Sequence, residues 1–181
     1  NLTLLETALR HRSWVKEVNN TITSNERLEF LGDAVLEWAI TDILYNNYPE
    51  LDEGKLSGLR KRVVNADALT SVANAIGLGD NVLLNRGELN TGGRKKVSIL
   101  CDTMEAVLGA IYLDNGRDAA YDVVRKFFSE MIEDGLKVDS QNIESKNQLQ
   151  DLVVKCVSNE DSSIVYEHSE TGPSHTPLFS C

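Results

Sequence analysis

Glu26, Glu29, Asp33 and Glu37 follow one another at steps of three and four, so in a helix they form a row on one face. Leu28, Leu31, Val35 and Trp38 take the same steps and form an apolar stripe on another face. Like charges at i,i+4 repel by roughly 0.2–0.5 kcal/mol per pair. A helix that must pack therefore needs a reason to carry such a row: a cation, basic partners, or plain exposure to water. Far along the chain, Asp102 and Glu105 stand three apart in the mostly apolar stretch Ser98–Ala110, where charged groups are costly unless paired or metal-bound. Two carboxylates from each of two helices make an all-oxygen site, which suits a hard cation such as Mg2+ or Mn2+.

The same residues carry a resemblance. Glu26-Arg-Leu-Glu-Phe-Leu-Gly-Asp-Ala-Val-Leu36 resembles the signature of the ribonuclease III endonucleases, and Asp102-Thr-Met-Glu-Ala106 resembles that family's second metal-binding segment. Ala8-Leu-Arg-His-Arg-Ser13 is similar to its N-terminal helix, and Gly92-Gly93 lies where members have a glycine pair. The order and spacing match over residues 1–140.

The resemblance implies an all-α ribonuclease III endonuclease domain that hydrolyses double-stranded RNA with Mg2+, or Mn2+ as a substitute. The ends left would be 5′-phosphate and 3′-hydroxyl, in tasks such as processing rRNA or mRNA precursors. It implies Glu29, Asp33, Asp102 and Glu105 as metal ligands, with Asp33 and Glu105 the catalytic pair and water as the nucleophile. Glu26 and Glu53 match supporting positions, whereas Glu37 reads as solvated. Phe30 matches an aromatic that enters a socket on a second subunit. A homodimer places two sites about a two-fold axis, one for each antiparallel strand. Arg94, Lys95 and Lys96 are the expected phosphate contacts. The alternative is a catalytically inactive ribonuclease III-like RNA-binding or ribosome-associated structural protein, which would not need four mutually repelling carboxylates.

Net charge is −10 over 181 residues, which by itself argues against a phosphate backbone as partner. The basic residues are clustered, at Arg60-Lys61-Arg62 and Arg94-Lys95-Lys96, and local field outweighs the total. The histidines His11, His168 and His175 form no Glu-x-x-His, which removes the di-iron carboxylate bundles. Three cysteines without a Cys-x-x-Cys point to reduced thiols and a cytoplasmic setting; Cys101 replaces a residue that is usually small in the family. No apolar run is long enough to span a membrane. A start at Asn1 without Met reads as a piece of a longer chain.

Periodicity predicts helices over 2–11, from Glu26 to about Tyr48, from Gly54 to about Ile76, 97–113 and 117–135. Loops are expected at 13–24, and loop or short helical turns at 80–96. Pro49 and Gly77 punctuate the pattern. The catalytic domain should occupy 1–137, with a polar linker at 138–145. Residues 146–181 read as helix, strand (Ile164–His168), turn and strand onset (Pro177–Cys181). They resemble the first half of an α+β double-stranded-RNA-binding domain, in which Gln150, Asp151 and His175 match contacts to ribose 2′-hydroxyls.

Overall fold

The computed structural model describes residues 1–18, 21–156, 169–171 and 178–180, with side chains placed up to residue 137. It divides into one unit of Asn1–Leu136 and another of Lys137–Cys181.

The first unit is all-α. Its elements are α1 (Leu2–Ala8), α2 (Arg12–Val18), α3 (Glu26–Asn47), α4 (Glu53–Val63), α5 (Ala66–Ala75), α6 (Arg86–Asn90) and α7, which starts at Val97, with 3-10 turns at Leu78–Asn81 and Gly93–Lys95. α3 runs as its periodicity demands and stops at Tyr48, ahead of Pro49. Its buried face is Leu28, Gly32, Val35, Leu36, Ala39, Ile40, Ile43 and Leu44. From Leu36 to Leu44 that stripe meets Leu59 and Val63 of α4, Leu69 and Val72 of α5, and Leu100, Met104, Leu108, Val124 and Phe128 of α7 in the main core. Burial of this kind, at about 25 cal/mol per Å2 of apolar surface, is what holds short, weakly amphipathic helices together.

Two expectations are corrected. Residues 12–18 are helical, although 13–24 read as a loop; Val15 is buried there and supplies the anchor. The helix expected over 54–76 is two helices, because Asn65 takes extended backbone and its side chain accepts from the N–H of Ala68, starting α5 afresh. In α1, Leu2 and Leu5 face solvent, and Leu4 with Ala8 makes the contact to Leu28, Ala106 and Ala110. Residues 138–145, expected as a polar linker, fall within the helix assigned over Val97–Cys156. No Gly or Pro lies between 136 and 156 to stop it. The break expected at Asp114–Gly116 is present as non-helical backbone at Gly116 (φ 82°).

In the second unit, Ser169–Thr171 and Leu178–Ser180 form β1 and β2, an antiparallel pair with Glu170 opposite Phe179. The strand expected at 164–168 lies outside the described residues.

Candidate metal centre

The site is built by a helix crossing. α3 and α7 touch backbone to backbone at Gly32 and Gly109. A Cβ on Gly32 would sit 1.7 Å from the Glu105 carbonyl oxygen, and one on Gly109 would sit 2.3 Å from the Leu28 carbonyl oxygen. Only hydrogen side chains allow this approach. It sets the turn of α3 that carries Glu29 and Asp33 beside the turn of α7 that carries Asp102 and Glu105.

The carboxylates lie within one another's field. Burial, then Asp33, Asp102 and Glu29, push Glu105 up to about 7. Glu29 is raised first by burial and then by Asp102, Glu26 and Asp33. Burial also raises Asp102, against the opposing pull of His11 and Arg12. Among the described residues none of the four carboxylates forms an ion pair within 4.0 Å. Three half-buried carboxylates and the exposed Asp33, forming no ion pair among the described residues, are a donor set that a divalent cation fits: hard oxygens throughout, with Asp33 open to water and ligand.

Cys101 adjoins them. Its sulfur and one oxygen each from Asp102 and Glu105 all lie within 4.8 Å of one another. Burial, then Glu105 and Asp102, push the thiol up to about 12, so it is protonated and donates to Glu105 Oε1 at 3.7 Å.

His11 and Arg12 were not singled out as site residues from their spacing. They arrive through a strap: Leu83 N–H donates to Leu9 O at 2.8 Å, His11 N–H to Leu83 O at 3.2 Å, and Asn25 N–H to Arg10 O at 2.9 Å. His11 is buried, which holds it below its ordinary pKa against the opposing pull of Glu88 and Asp102. No local pattern signals this placement, since the strap depends on residues more than seventy positions away.

The remaining expected residues fall as follows. Glu26 is exposed, 3.8 Å from Arg12 Nη1 and hydrogen-bonded by Ser24 Oγ at 2.8 Å. Glu53 opens α4 and accepts from Ser57 Oγ at 2.8 Å. Glu37 pairs with Arg60 at 3.4 Å instead of standing alone. Arg94 is committed to its own loop, with Nη1 donating to the carbonyls of Gly79, Asp80 and Val82 at 2.8, 2.6 and 3.3 Å. Lys96 donates to Glu88 Oε2 at 2.6 Å. Lys95 is left exposed, without an ion pair among the described residues. Phe30 is 81% exposed. The side chains of Gln150 and Asp151, and the whole of His175, lie outside what is described.

The first unit is thus all-α, with two helices that cross on a pair of glycines and carry carboxylates within one another's field. The Ribonuclease-III-like family model matches residues 1–132. Ribonuclease 3 of Streptomyces coelicolor is 46% identical over 177 residues, covering 97% of this chain and 62% of that protein. The corresponding protein of Thermobifida fusca is 44% identical, covering 97% and 71%. Among solved structures, the nuclease domain of ribonuclease III from Campylobacter jejuni superposes with a TM-score of 0.65 at 40% identity, over 71% of this chain and 90% of that one. Dicer from Pichia stipitis superposes with a TM-score of 0.55 at 28% identity, over 74% and 56%. This chain belongs to the ribonuclease III family, and its first unit has the family's all-α nuclease fold. It spans 62% of the length of its Streptomyces relative.

Proposed function

We propose that the chain is a divalent-metal-dependent endonuclease that hydrolyses the phosphodiester bonds of double-stranded RNA. It would leave 5′-phosphate and 3′-hydroxyl ends, acting in the cytoplasm on RNA precursors such as those of rRNA and mRNA. The single observation that carries this reading is the meeting of Glu29, Asp33, Asp102 and Glu105 at the Gly32–Gly109 crossing, without an ion-pair partner among the described residues. These four would hold Mg2+, or Mn2+ in its place. The bound cation supplies charge neutralisation at the phosphate and a more acidic water.

The protein's own share is positional. The crossing holds the carboxylates on helix turns, with Asp33 exposed and Glu105 half-buried. Asp33 and Glu105 act as the catalytic pair, Glu29 and Asp102 as further ligands. Glu26 and Glu53 support them, Glu26 through its approach to Arg12. Lys95 is the member of its trio with a side chain free to meet a phosphate; Arg94 and Lys96 shape the loop that presents it.

Phe30 supports a homodimer. An aromatic ring exposed to 81% helps line a groove of about 740 Å3 with Leu4, Leu28, Leu31 and Leu113, flanked by Glu26 and Arg27, and exposed apolar side chains gathered with a polar rim mark interaction sites. Two such subunits would offer one site to each strand of a duplex. Residues 146–181 are proposed as part of a double-stranded-RNA-binding domain, with Gln150, Asp151 and His175 at the minor groove. Relatives align over 97% of the chain, this tail included. Among the described residues no helix is long and apolar enough to cross a membrane.

The test is a long, perfectly paired RNA incubated with Mg2+, beside an EDTA control and Glu105→Gln. Short duplexes from the wild type alone uphold the reading. Binding without cleavage in both Mg2+ and Mn2+ would move it to the catalytically inactive, RNA-binding member of the family.

A further inference from the structure

A polar cleft of about 400 Å3 is lined by side chains of α2 and the residue before it, and by Asn85 and Glu88 at the start of α6. On its wall His11 is only 9% exposed. Its Nδ1 accepts from the Ser13 backbone N–H at 3.3 Å and from the Ser13 hydroxyl at 2.8 Å. That hydroxyl accepts in turn from the Asn85 N–H at 3.2 Å. A backbone N–H only donates, so Nδ1 carries no proton and the ring's N–H is on Nε2. Among the described residues Nε2–H has no hydrogen-bond partner. A buried donor fixed in one tautomer needs an acceptor that solvent or a ligand oxygen must supply.

The charges beside it decide for an anionic ligand. Lys16 is exposed and makes no ion pair among the described residues. Arg12 is exposed, and its one ion pair there is to Glu26 at 3.8 Å. The two acids of the cleft are already engaged, Glu17 Oε2 with the Arg86 N–H at 3.1 Å and Glu88 Oε2 with Lys96 Nζ at 2.6 Å. The cleft adjoins the metal centre, since His11 and Arg12 both act on Asp102. It adjoins the Lys95 loop as well, through the Glu88–Lys96 pair.

We propose that His11 Nε2–H, Arg12 and Lys16 form a subsite for a backbone phosphate of the RNA duplex, other than the phosphate at the metal centre. The inference deepens the double-stranded-RNA reading above and rests on it. Arg12 and Lys16 meet the phosphate charge, and His11 donates to one of its oxygens as a neutral ring, with no change of protonation. Contacts to phosphate position a nucleic acid without reading its sequence, so the subsite holds the duplex in register over the carboxylates.

The test uses the full chain with Glu105→Gln to prevent cleavage, and follows its binding to a perfectly paired RNA over a series of KCl concentrations. Each phosphate contact by a cation contributes about 0.9 to the slope of log affinity against log salt. Adding Lys16→Ala should therefore lower that slope by about 1, with the melting temperature unchanged. Lys61→Ala, an exposed charge on α4 outside the cleft, should leave the slope alone. His11→Gln keeps an N–H near the Nε2 position and should bind as the parent does. His11→Asn keeps only the side facing Ser13 and should lose about tenfold or more in affinity at an unchanged slope, because a neutral donor releases no counterion. An unchanged slope in Lys16→Ala, or an equal fall in Lys61→Ala, overturns the subsite. Equal losses in His11→Gln and His11→Asn give His11 a packing role and overturn the assignment of its donor. Inorganic phosphate that raises the melting temperature of the parent but not of Lys16→Ala, with equal RNA slopes, would make the cleft a free-phosphate site and overturn the RNA assignment. A parent chain that binds no duplex at all sinks the double-stranded-RNA reading itself, and the inference with it.

Discussion

Gly32→Ala is the sharpest perturbation of this site, although Gly32 bears no chemistry of its own. The added Cβ would lie 1.7 Å from the Glu105 carbonyl oxygen, 2.5 Å from its carbonyl carbon and 3.0 Å from the Gly109 nitrogen. All three are backbone atoms, so no side-chain rotation relieves the overlap. Bringing the closest contact out to 3.0 Å moves α3 and α7 apart by at least about 1.3 Å, the difference between that distance and the 1.7 Å overlap. Overpacking costs about 1–3 kcal/mol, and a backbone obstacle puts this case at the upper end. At about 2–4 °C per kcal/mol for a chain of this size, the melting temperature should fall by about 6–12 °C.

The consequence for the metal is larger. Mg2+–oxygen bonds are about 2.0–2.1 Å with little tolerance, so a separation of about 1.3 Å between the two carboxylate pairs leaves one pair out of reach. Mn2+ affinity, read by paramagnetic resonance or calorimetry, should drop by about 100-fold or more, beyond the usual cost of losing an outer partner. Gly58→Ala is the control. It lies exposed in α4, a Cβ there meets nothing within 4 Å, and helix propensity favours the alanine by about 0.5–1 kcal/mol. A Gly32→Ala protein with wild-type melting temperature and wild-type Mn2+ affinity would refute the claim that this crossing assembles the site.

The acid cluster predicts a pH dependence of stability without metal. Glu105 is raised from 4.5 to about 7 in the folded chain, so the folded state keeps a proton that the unfolded chain releases. The stabilisation is complete below pH 4.5 and is lost as pH rises through about 7. Full linkage would be about 3 kcal/mol; screening at a half-exposed group reduces it to about 1–2 kcal/mol. Urea unfolding at pH 5 and pH 8 should show that loss, with smaller contributions of the same sign from Glu29 and Asp102. Saturating Mg2+ or Glu105→Gln should flatten it, and an undiminished slope in Glu105→Gln would assign the effect elsewhere. Phe30→Ala should shift sedimentation from dimer to monomer while leaving melting nearly unchanged, since an exposed ring contributes little to its own subunit. Arg94→Ala orphans three carbonyl contacts and should cost about 1–3 kcal/mol, whereas Lys95→Ala should leave stability alone and weaken RNA binding most at low salt.

Much of the site was legible in the sequence because helix geometry is local. A row at Glu29 and Asp33, and a pair at Asp102 and Glu105, are consequences of about 3.6 residues per turn. The length of α3 followed from its apolar stripe and from Pro49. The elements misread were those in which context overrides pattern. α2 is too short to show a period, and the Val64–Asn65 break depends on one side-chain cap. The contacts of Arg94 with loop carbonyls and of Lys96 with Glu88 were not legible either, because sequence shows a charge but not which group it will meet.

By itself, then, the sequence determined which side chains are offered, on which helix face, and to what class of chemistry: oxygen donors in pairs, at helical spacing, without histidine. Tertiary structure alone decided that the pairs meet. Gly32 and Gly109 are seventy-seven positions apart, and only their backbone contact brings four repelling carboxylates within each other's field and lifts Glu105 to about 7. The strap through Leu83 that delivers His11 is likewise a long-range outcome. Local propensities act within a turn or two, whereas a site is fixed by which helices can approach closely enough to share a core.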